Sequence, residues 1–435
     1  MKRLLLCAAA LIAAPVATPA FAETVAFTGG TVAIGDGSAP IPGGTVVIRD
    51  GRVVAAGAGV AVPPGARVID ASGKWVSAGI VASFNSEGLF DGEDIAEGND
   101  TAARESPFHA AIDVSVAINP MTQAIPIDRA GGVTRAIVTP DPTGSIFAGQ
   151  GAVIDLGADA SPVTRARAFQ FVDLSEASAR QGDSRPARYA AFHDALAQAR
   201  DYQRSPATFD GRGKDALLTR ADAAALLPVL DGRMPLVVHV ERASDILQVL
   251  DLKRLYPALK LVLLGVSEGW MVAPQIAAAH VPVVAGALAD LPSAFEALAA
   301  TESNVGRLEQ AGVPVGVSTI NVATEGGQRL LKQYAGNLVA ITKVPGMTGL
   351  DWGHAFATIT SGPAAALGMD GEIGSLRPGR RADVVVWDGD PLEVSSAPVA
   401  VFIDGVRQPL SNRQTRLRDR YLTPAEGALP KAYDR

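Results

Sequence analysis

From about residue 76 to residue 370 the chain alternates short, unbroken apolar runs with Ala/Leu-rich segments of helical length. A strand that is apolar on both faces must be covered on both sides, which is the condition of a parallel sheet flanked by helices. Strands are predicted over 79–84, 133–139, 236–240, 259–264, 281–284 and 313–317. Helices are predicted over 189–204, 220–230, 243–255, 272–280 and 351–367. About 300 residues of this pattern suit a (β/α)8 barrel of the TIM type. A doubly wound open sheet is the competing architecture, but no Gly-x-Gly-x-x-Gly turn follows a first strand.

The two ends of this region have a different texture. Thr31-Val32-Ala33-Ile34, Thr45-Val46-Val47-Ile48, Arg52-Val53-Val54-Ala55 and Arg67-Val68-Ile69 are short strands separated by Gly, Asp and Pro turns, with Asp50-Gly51 as a hairpin signal. The texture returns in Ala382-Asp383-Val384-Val385-Val386-Trp387 and in Val399-Ala400-Val401-Phe402-Ile403 before Asp404-Gly405. Neither set alone has enough strands to bury a sheet face. A composite β-sandwich from 23–75 and 371–410 is therefore expected, around a barrel over 76–370, with a solvated tail over 411–435.

The first residues indicate a compartment. Met1-Lys2-Arg3, an apolar run from Leu4 to Val16 and Ala20-Phe21-Ala22 have the form of a secretory signal peptide cleaved after Ala22, over 1–22. The run is too short for a membrane span, and the mature protein is expected in the periplasm or outside the cell. Cys7 is the only cysteine, so the mature chain would hold no disulfide, thiolate metal site or cysteine nucleophile. The net charge of −7 becomes −9 without Lys2 and Arg3. That acidity argues against nucleic acid or an anionic membrane as the main partner.

Several motifs carry a resemblance. Asp70-Ala71-Ser72-Gly73-Lys74-Trp75-Val76-Ser77-Ala78-Gly79-Ile80-Val81, Ala130-Gly131-Gly132-Val133-Thr134 and Gly149-Gln150-Gly151-Ala152 are three of them. Val238-His239-Val240-Glu241-Arg242-Ala243-Ser244-Asp245-Ile246 is a fourth, followed by Ala357-Thr358-Ile359-Thr360, Pro363-Ala364 and Gly374-Ser375-Leu376-Arg377-Pro378-Gly379-Arg380-Arg381-Ala382-Asp383. They resemble the amidohydrolase superfamily, particularly its imidazolonepropionase-like members. The resemblance implies hydrolysis of C–N bonds in cyclic amides or peptide-like substrates. It also implies one or two zinc ions held by paired His on the first strand and by His on later strands, with an Asp on the last strand that binds metal and takes the proton. Zinc would lower the pKa of its bound water toward ~7, and a catalytic zinc needs three protein ligands and an open position.

Against that pattern the paired His are replaced by Ser83-Phe84-Asn85, and His109 is the first histidine anywhere. The fifth-strand His matches as His239, the sixth-strand His falls on Gly265, and the Asp falls on Ile320 in Ser318-Thr319-Ile320-Asn321. A slip of one residue gives Thr319 or Asn321, neither a carboxylate, and no lysine stands at a matching strand end. His239 is the one matched metal ligand, with Glu241, Glu268 and Glu325 as candidate replacement ligands. Glu241 would face the same way as His239 only if the strand continues that far.

Elsewhere the signals are weaker. His193 fits a helix surface, His280 the closed end of the barrel, His354 a helix start, and His109 a segment after the first strand that could act as a lid. Thr143-Gly144-Ser145-Ile146 lacks the second glycine of a nucleophile elbow. Glu87, Asp91, Glu93 and Asp94 are the carboxylates nearest a glycosidase-like pair. Two classes of function stand open. One is a catalytically degenerate family member that serves as a binding or partner subunit, as a homo-oligomer or beside an intact amidohydrolase paralogue. The other is an active amidohydrolase with an altered mononuclear metal site around His239.

Overall fold

The computed structural model describes residues 23–92, 96–176, 184–211, 213, 216–286, 289–320 and 327–422. The leader with Cys7, Glu93, Asp94, Asn321, Glu325 and the end of the tail lie outside the described residues. Five strands open the chain: β1 (Thr24–Ala33), β2 (Ile41–Arg49), β3 (Arg52–Gly57), β4 (Arg67–Asp70) and β5 (Trp75–Ala78). Eight follow as β6 (Ile80–Asn85), β7 (Val133–Val138), β8 (Phe147–Asp155), β9 (Val163–Asp173), β10 (Leu236–Val240), β11 (Leu261–Gly265), β12 (Val283–Gly286) and β13 (Val315–Ser318). Three close it: β14 (Val384–Trp387), β15 (Pro398–Ile403) and β16 (Val406–Gln408).

Strands β6 to β13 hydrogen-bond in sequence order as a nearly closed barrel. At the seam β13 lies against β6, and Thr358 and Ile359 bridge the two. Their carbonyls accept from the Val317 and Val81 amides, and Ser83 Oγ donates across the seam to the Val317 carbonyl at 3.0 Å. The expected eight-stranded barrel is present, with one departure from an all-parallel (β/α)8 pattern: β8 runs antiparallel to both β7 and β9. β7, β8 and β9 thus form a meander without intervening helices. Sequence reasoning left β8 and β9 unassigned because glycines interrupt one and exposed polar residues open the other. Gly149 has φ +133, and a Cβ on Gly151 would collide with the Phe169 ring. Both glycines are therefore needed where the meander is tightest.

The helices predicted over 189–204 and 220–230 form close to their expected limits, while the one over 243–255 is two, Ala243–Leu250 and Leu252–Leu255. Arg220–Leu230 starts on a capping box in which Thr219 and Asp222 satisfy each other's backbone amides. The segment expected as one helix over 351–367 is two, Trp352–Ala357 and Ser361–Ala366. The break falls where Thr358 and Ile359 turn their carbonyls to the barrel seam.

The outer strands form one sheet in the order β16-β15-β14-β5-β1-β2-β3, with β4 also on β1. Asp50 and Gly51, at φ 52° and 69°, make the predicted hairpin turn between β2 and β3. In a flat sheet β1 and β15 would stand about 14 Å apart at ~4.8 Å per strand. The Phe27 and Phe402 rings instead meet edge to face at 5.0 Å. The sheet thus folds onto itself, giving the sandwich-like core built from both chain ends. The helix Arg413–Leu422 that follows has no buried residue.

Candidate functional site: the barrel mouth

Val237 of β10 belongs to the barrel-interior cluster with Val81, Phe84, Ile137, Phe169 and Leu264. The strand period of two therefore turns His239 inward as well, close to the strand's C-terminal end. Asp173 ends β9 in register with His239, and Glu241 follows β10 directly. His239 Nε2 lies 2.8 Å from Glu241 Oε1, and its Nδ1 lies 3.3 Å from Asp173 Oδ1. Glu241 Oε2 accepts from the Ser267 amide at 2.8 Å and from Ser267 Oγ at 2.7 Å. Asp173 also accepts from the Ser175 amide.

All three titratable groups are buried. Burial alone would hold the imidazole neutral, but the charge and hydrogen bond of Asp173, then those of Glu241, raise His239 well above its ordinary value. Burial would likewise raise both carboxyls. The hydrogen bond and charge of His239 hold Glu241 below its ordinary value, and the same histidine does so for Asp173. The imidazole thus lies between two carboxylates, one facing each ring nitrogen.

These residues do not fit a zinc ion. A histidine binds metal through the lone pair of a deprotonated ring nitrogen, and here each ring nitrogen faces a carboxylate oxygen. The other expected ligand positions hold no replacement. Ser83 is spent on the Val317 carbonyl, and Asn85 Oδ1 accepts from the Glu87 amide. Ile320 packs against the barrel-interior cluster. At Gly265, φ is +86 and a Cβ would collide with Glu241 Oε1 and come within 2.8 Å of His239 Cδ2. Among the described residues no group of three or more His, Cys, Asp or Glu is disposed to hold a metal ion.

The structure therefore brings His239 and Glu241 together although β10 ends at Val240, one residue short of Glu241, and it joins them by a hydrogen bond. Glu268 stands apart, its two oxygens accepting from the Ala243 and Ala299 amides at 3.0 and 3.1 Å. His193, His280 and His354 are exposed, and His354 pairs with Asp351 at 2.7 Å. His109 is held through its backbone, its amide donating to Asp222 Oδ1 at 2.9 Å. Asp173 is the site residue that sequence reasoning missed. The available signal was an acid closing the apolar run Phe169-Gln170-Phe171-Val172, hidden because β9 itself went unassigned.

Glu87 does not join a glycosidase-like pair with Asp91. It hydrogen-bonds Asp128 of the helix Ala124–Ala130, and burial pushes the Asp128 carboxyl up to about 6. Asp128 is fully buried, and its Oδ1 accepts from the Arg329 amide at 2.8 Å. An acid with a raised folded-state pKa contributes stability below its unfolded value, and that contribution is lost as pH rises from about 4 through about 6. Asp128→Asn keeps the acceptor without the charge. It is expected to raise stability at pH 7 by about 2 kcal/mol and to flatten the pH dependence between pH 4 and 7. Urea unfolding at several pH values tests this; an unchanged midpoint at pH 7 would show that Asp128 is not strained by ionisation.

Comparison with known proteins is consistent with this architecture. A model of the Amidohydrolase family matches residues 331–407. The amidohydrolase tasK of Hapsidospora irregularis is 50% identical over 60 residues, 14% of this chain and 6% of that protein. The imidazolonepropionase of Maricaulis maris (strain MCS10) is 39% identical over 107 residues, 24% of this chain and 25% of that protein. The chain thus matches a quarter or less of the length of these relatives. Among solved structures, an amidohydrolase from Thermotoga maritima MSB8 superposes with a TM-score of 0.77 at 24% identity, over 89% of this chain and 100% of that one. Molinate hydrolase superposes at 0.52 and 18% identity, over 94% and 98%. These two structures share the fold. Residues 331–407 are thus similar to the Amidohydrolase family, a quarter of the chain is similar to an imidazolonepropionase, and the barrel has the fold of the solved amidohydrolase.

Proposed function

We propose that this chain is an exported amidohydrolase-superfamily protein that no longer performs zinc-dependent hydrolysis and serves as a binding or partner subunit. The observation that carries the reading is at Gly265. The space a sixth-strand histidine would need is filled by the Glu241 carboxylate. The left-handed backbone at φ +86 and the nearby His239 ring add to this, and together they support a site packed around a different set of contacts. An active mononuclear site around His239 finds no support in the geometry, because both ring nitrogens face carboxylates. By the family resemblance, the ligand proposed is a small amide or peptide-like molecule, and the protein partner an intact amidohydrolase paralogue or a second copy. The leader over 1–22 supports a periplasmic or secreted location, and no helix of the described residues is long and apolar enough to cross a membrane.

Metal analysis of the purified mature protein and of His239→Ala, with a hydrolysis panel of dipeptides and lactams, tests the proposal. The expected result is far less than one zinc per chain, unaltered by the substitution, and no turnover. About one tightly held zinc per chain, lost in the variant together with hydrolysis, would overturn it. N-terminal sequencing of the exported protein checks cleavage after Ala22.

A further inference from the structure

We infer that the loop over 289–300, which follows β12 at the barrel mouth, is the surface on which two copies of this chain pair about a two-fold axis. The inference rests on the reading that the chain acts as a partner subunit, and it commits that reading to a second copy and to a defined surface.

The sequence of the loop sets the problem. From Leu291 to Thr301 it holds one charged residue, Glu296. Glu296 and Ala297 turn inward and are buried, whereas Leu291, Phe295 and Leu298 turn outward and are 74%, 75% and 64% exposed. Half-exposed Met271 lies beside the loop, because the indole N–H of its neighbour Trp270 donates to the Ala299 carbonyl at 2.8 Å. Single exposed apolar side chains are ordinary on a protein surface, but several large ones grouped on one short segment mark a surface that another molecule covers. Slackness does not account for the exposure. The Glu296 carboxylate accepts from the Glu176 amide at 2.7 Å and meets Arg185 at 3.5 Å. The Ala299 amide donates to Glu268 Oε1 at 3.1 Å. The loop is pinned at 296 and 299, and that pinning holds its apolar side chains outward.

Charge selects the occupant. The chain carries a net charge of −7, so two copies repel unless they meet on a face without excess negative charge. This loop supplies such a face. Its flanks carry both signs. Asp290 accepts from the Glu302 amide at 3.3 Å, and the Arg307 guanidinium lies 4.4 Å from the Trp270 ring centroid. A patch that is apolar at its centre and mixed in charge at its rim complements a copy of itself, which is what a two-fold contact requires. A strongly acidic or basic partner would find no opposite charge at the centre. The contact also adjoins the site. β10, β11 and β12 are parallel neighbours, so the loop after β12 leaves the barrel at the same end as His239. Glu296 lies within electrostatic reach of His239 and Glu241. A dimer formed here therefore abuts both barrel mouths.

Sedimentation velocity of the purified mature protein, from about 1 to 100 μM, tests the inference. Wild type should sediment as a dimer. Phe295→Arg, and separately the double variant Leu291→Asp with Leu298→Asp, should raise the dimer dissociation constant by about 100-fold or more. Their far-UV circular dichroism should match that of wild type, since the substituted side chains are exposed. Val406→Arg, at an exposed position on β16 of the outer sheet, should leave the dimer intact. A wild type that stays monomeric at the highest concentration would overturn the inference. So would a dimer indifferent to both loop variants, or association that appears only with a paralogue. A dimer that holds zinc and hydrolyses amides would count against the proposed function alone. A metal-free, inactive monomer would count against this inference alone.

Discussion

Arg135→Ala is expected to lower stability by about 3–5 kcal/mol. Arg135 lies on β7 with no exposed surface. Its Nε and Nη2 donate to the two oxygens of Asp383 at 2.7 and 2.8 Å, and Nη2 also donates to Asp404 at 2.8 Å. Asp155, at the end of the antiparallel β8, lies 3.6 Å from Nη1. One guanidinium thus holds a barrel carboxylate and two carboxylates of the composite sheet. Its burial would weaken the charge, but Asp383 first, then Asp404 and Asp155, more than restore it. Removing the arginine leaves Asp383 and Asp155 buried without a counter-ion at the joint of the two sheets. Arg135→Lys keeps the charge but loses the planar fork that meets Asp383 with two bonds, so an intermediate loss is expected. Urea unfolding monitored by tryptophan fluorescence measures both variants. A loss below about 1 kcal/mol for Arg135→Ala would mean that this cluster is solvated and does not hold the sheets together.

Asp383 also explains how much of the fold was legible. It closes the segment Gly379-Arg380-Arg381-Ala382-Asp383, which pointed to the family in sequence, and it carries the bond to Arg135 from 248 residues away. The parallel strands were legible because burial on both faces leaves unbroken apolar runs, as in Leu236–Val240. The meander was not. β8 needs glycine where Phe169 crosses it, and β9 begins in polar residues that stay partly or fully exposed, so neither has the apolar signature of an enclosed strand. The site divides in the same way. The missing ligands could be read from identity alone, since Ser83, Asn85, Gly265 and Ile320 cannot be histidine or aspartate. What stands in their place could not be read, because the pairing of His239 with Asp173 depends on the register of two strands, one of them unrecognised.

Gly265→His, the substitution that would restore a family ligand by name, is expected to destabilise the protein by about 3 kcal/mol or more and to recruit no zinc. Two effects act together. At φ +86 any side chain is strained, and its first carbon would meet the Glu241 carboxylate and the His239 ring. Moving Glu241 aside would break its contacts with His239 and Ser267, leaving Asp173 as the remaining carboxylate on the ring. Glu241→Gly in the same chain removes the collision, so the double variant should recover part of the loss, while the backbone strain at residue 265 persists. Such non-additivity is the mark of two residues sharing one space. Urea midpoints of the two single variants and the double, with zinc content of each, make the measurement. A Gly265→His protein as stable as wild type, holding stoichiometric zinc, would mean that Glu241 is a movable occupant of the barrel mouth. Simple additivity of the two losses would mean that the residues do not compete for the same volume. Either result would return the lost ligand to the status of a point substitution, whereas the expected one makes it a repacked core that no single reversion can undo.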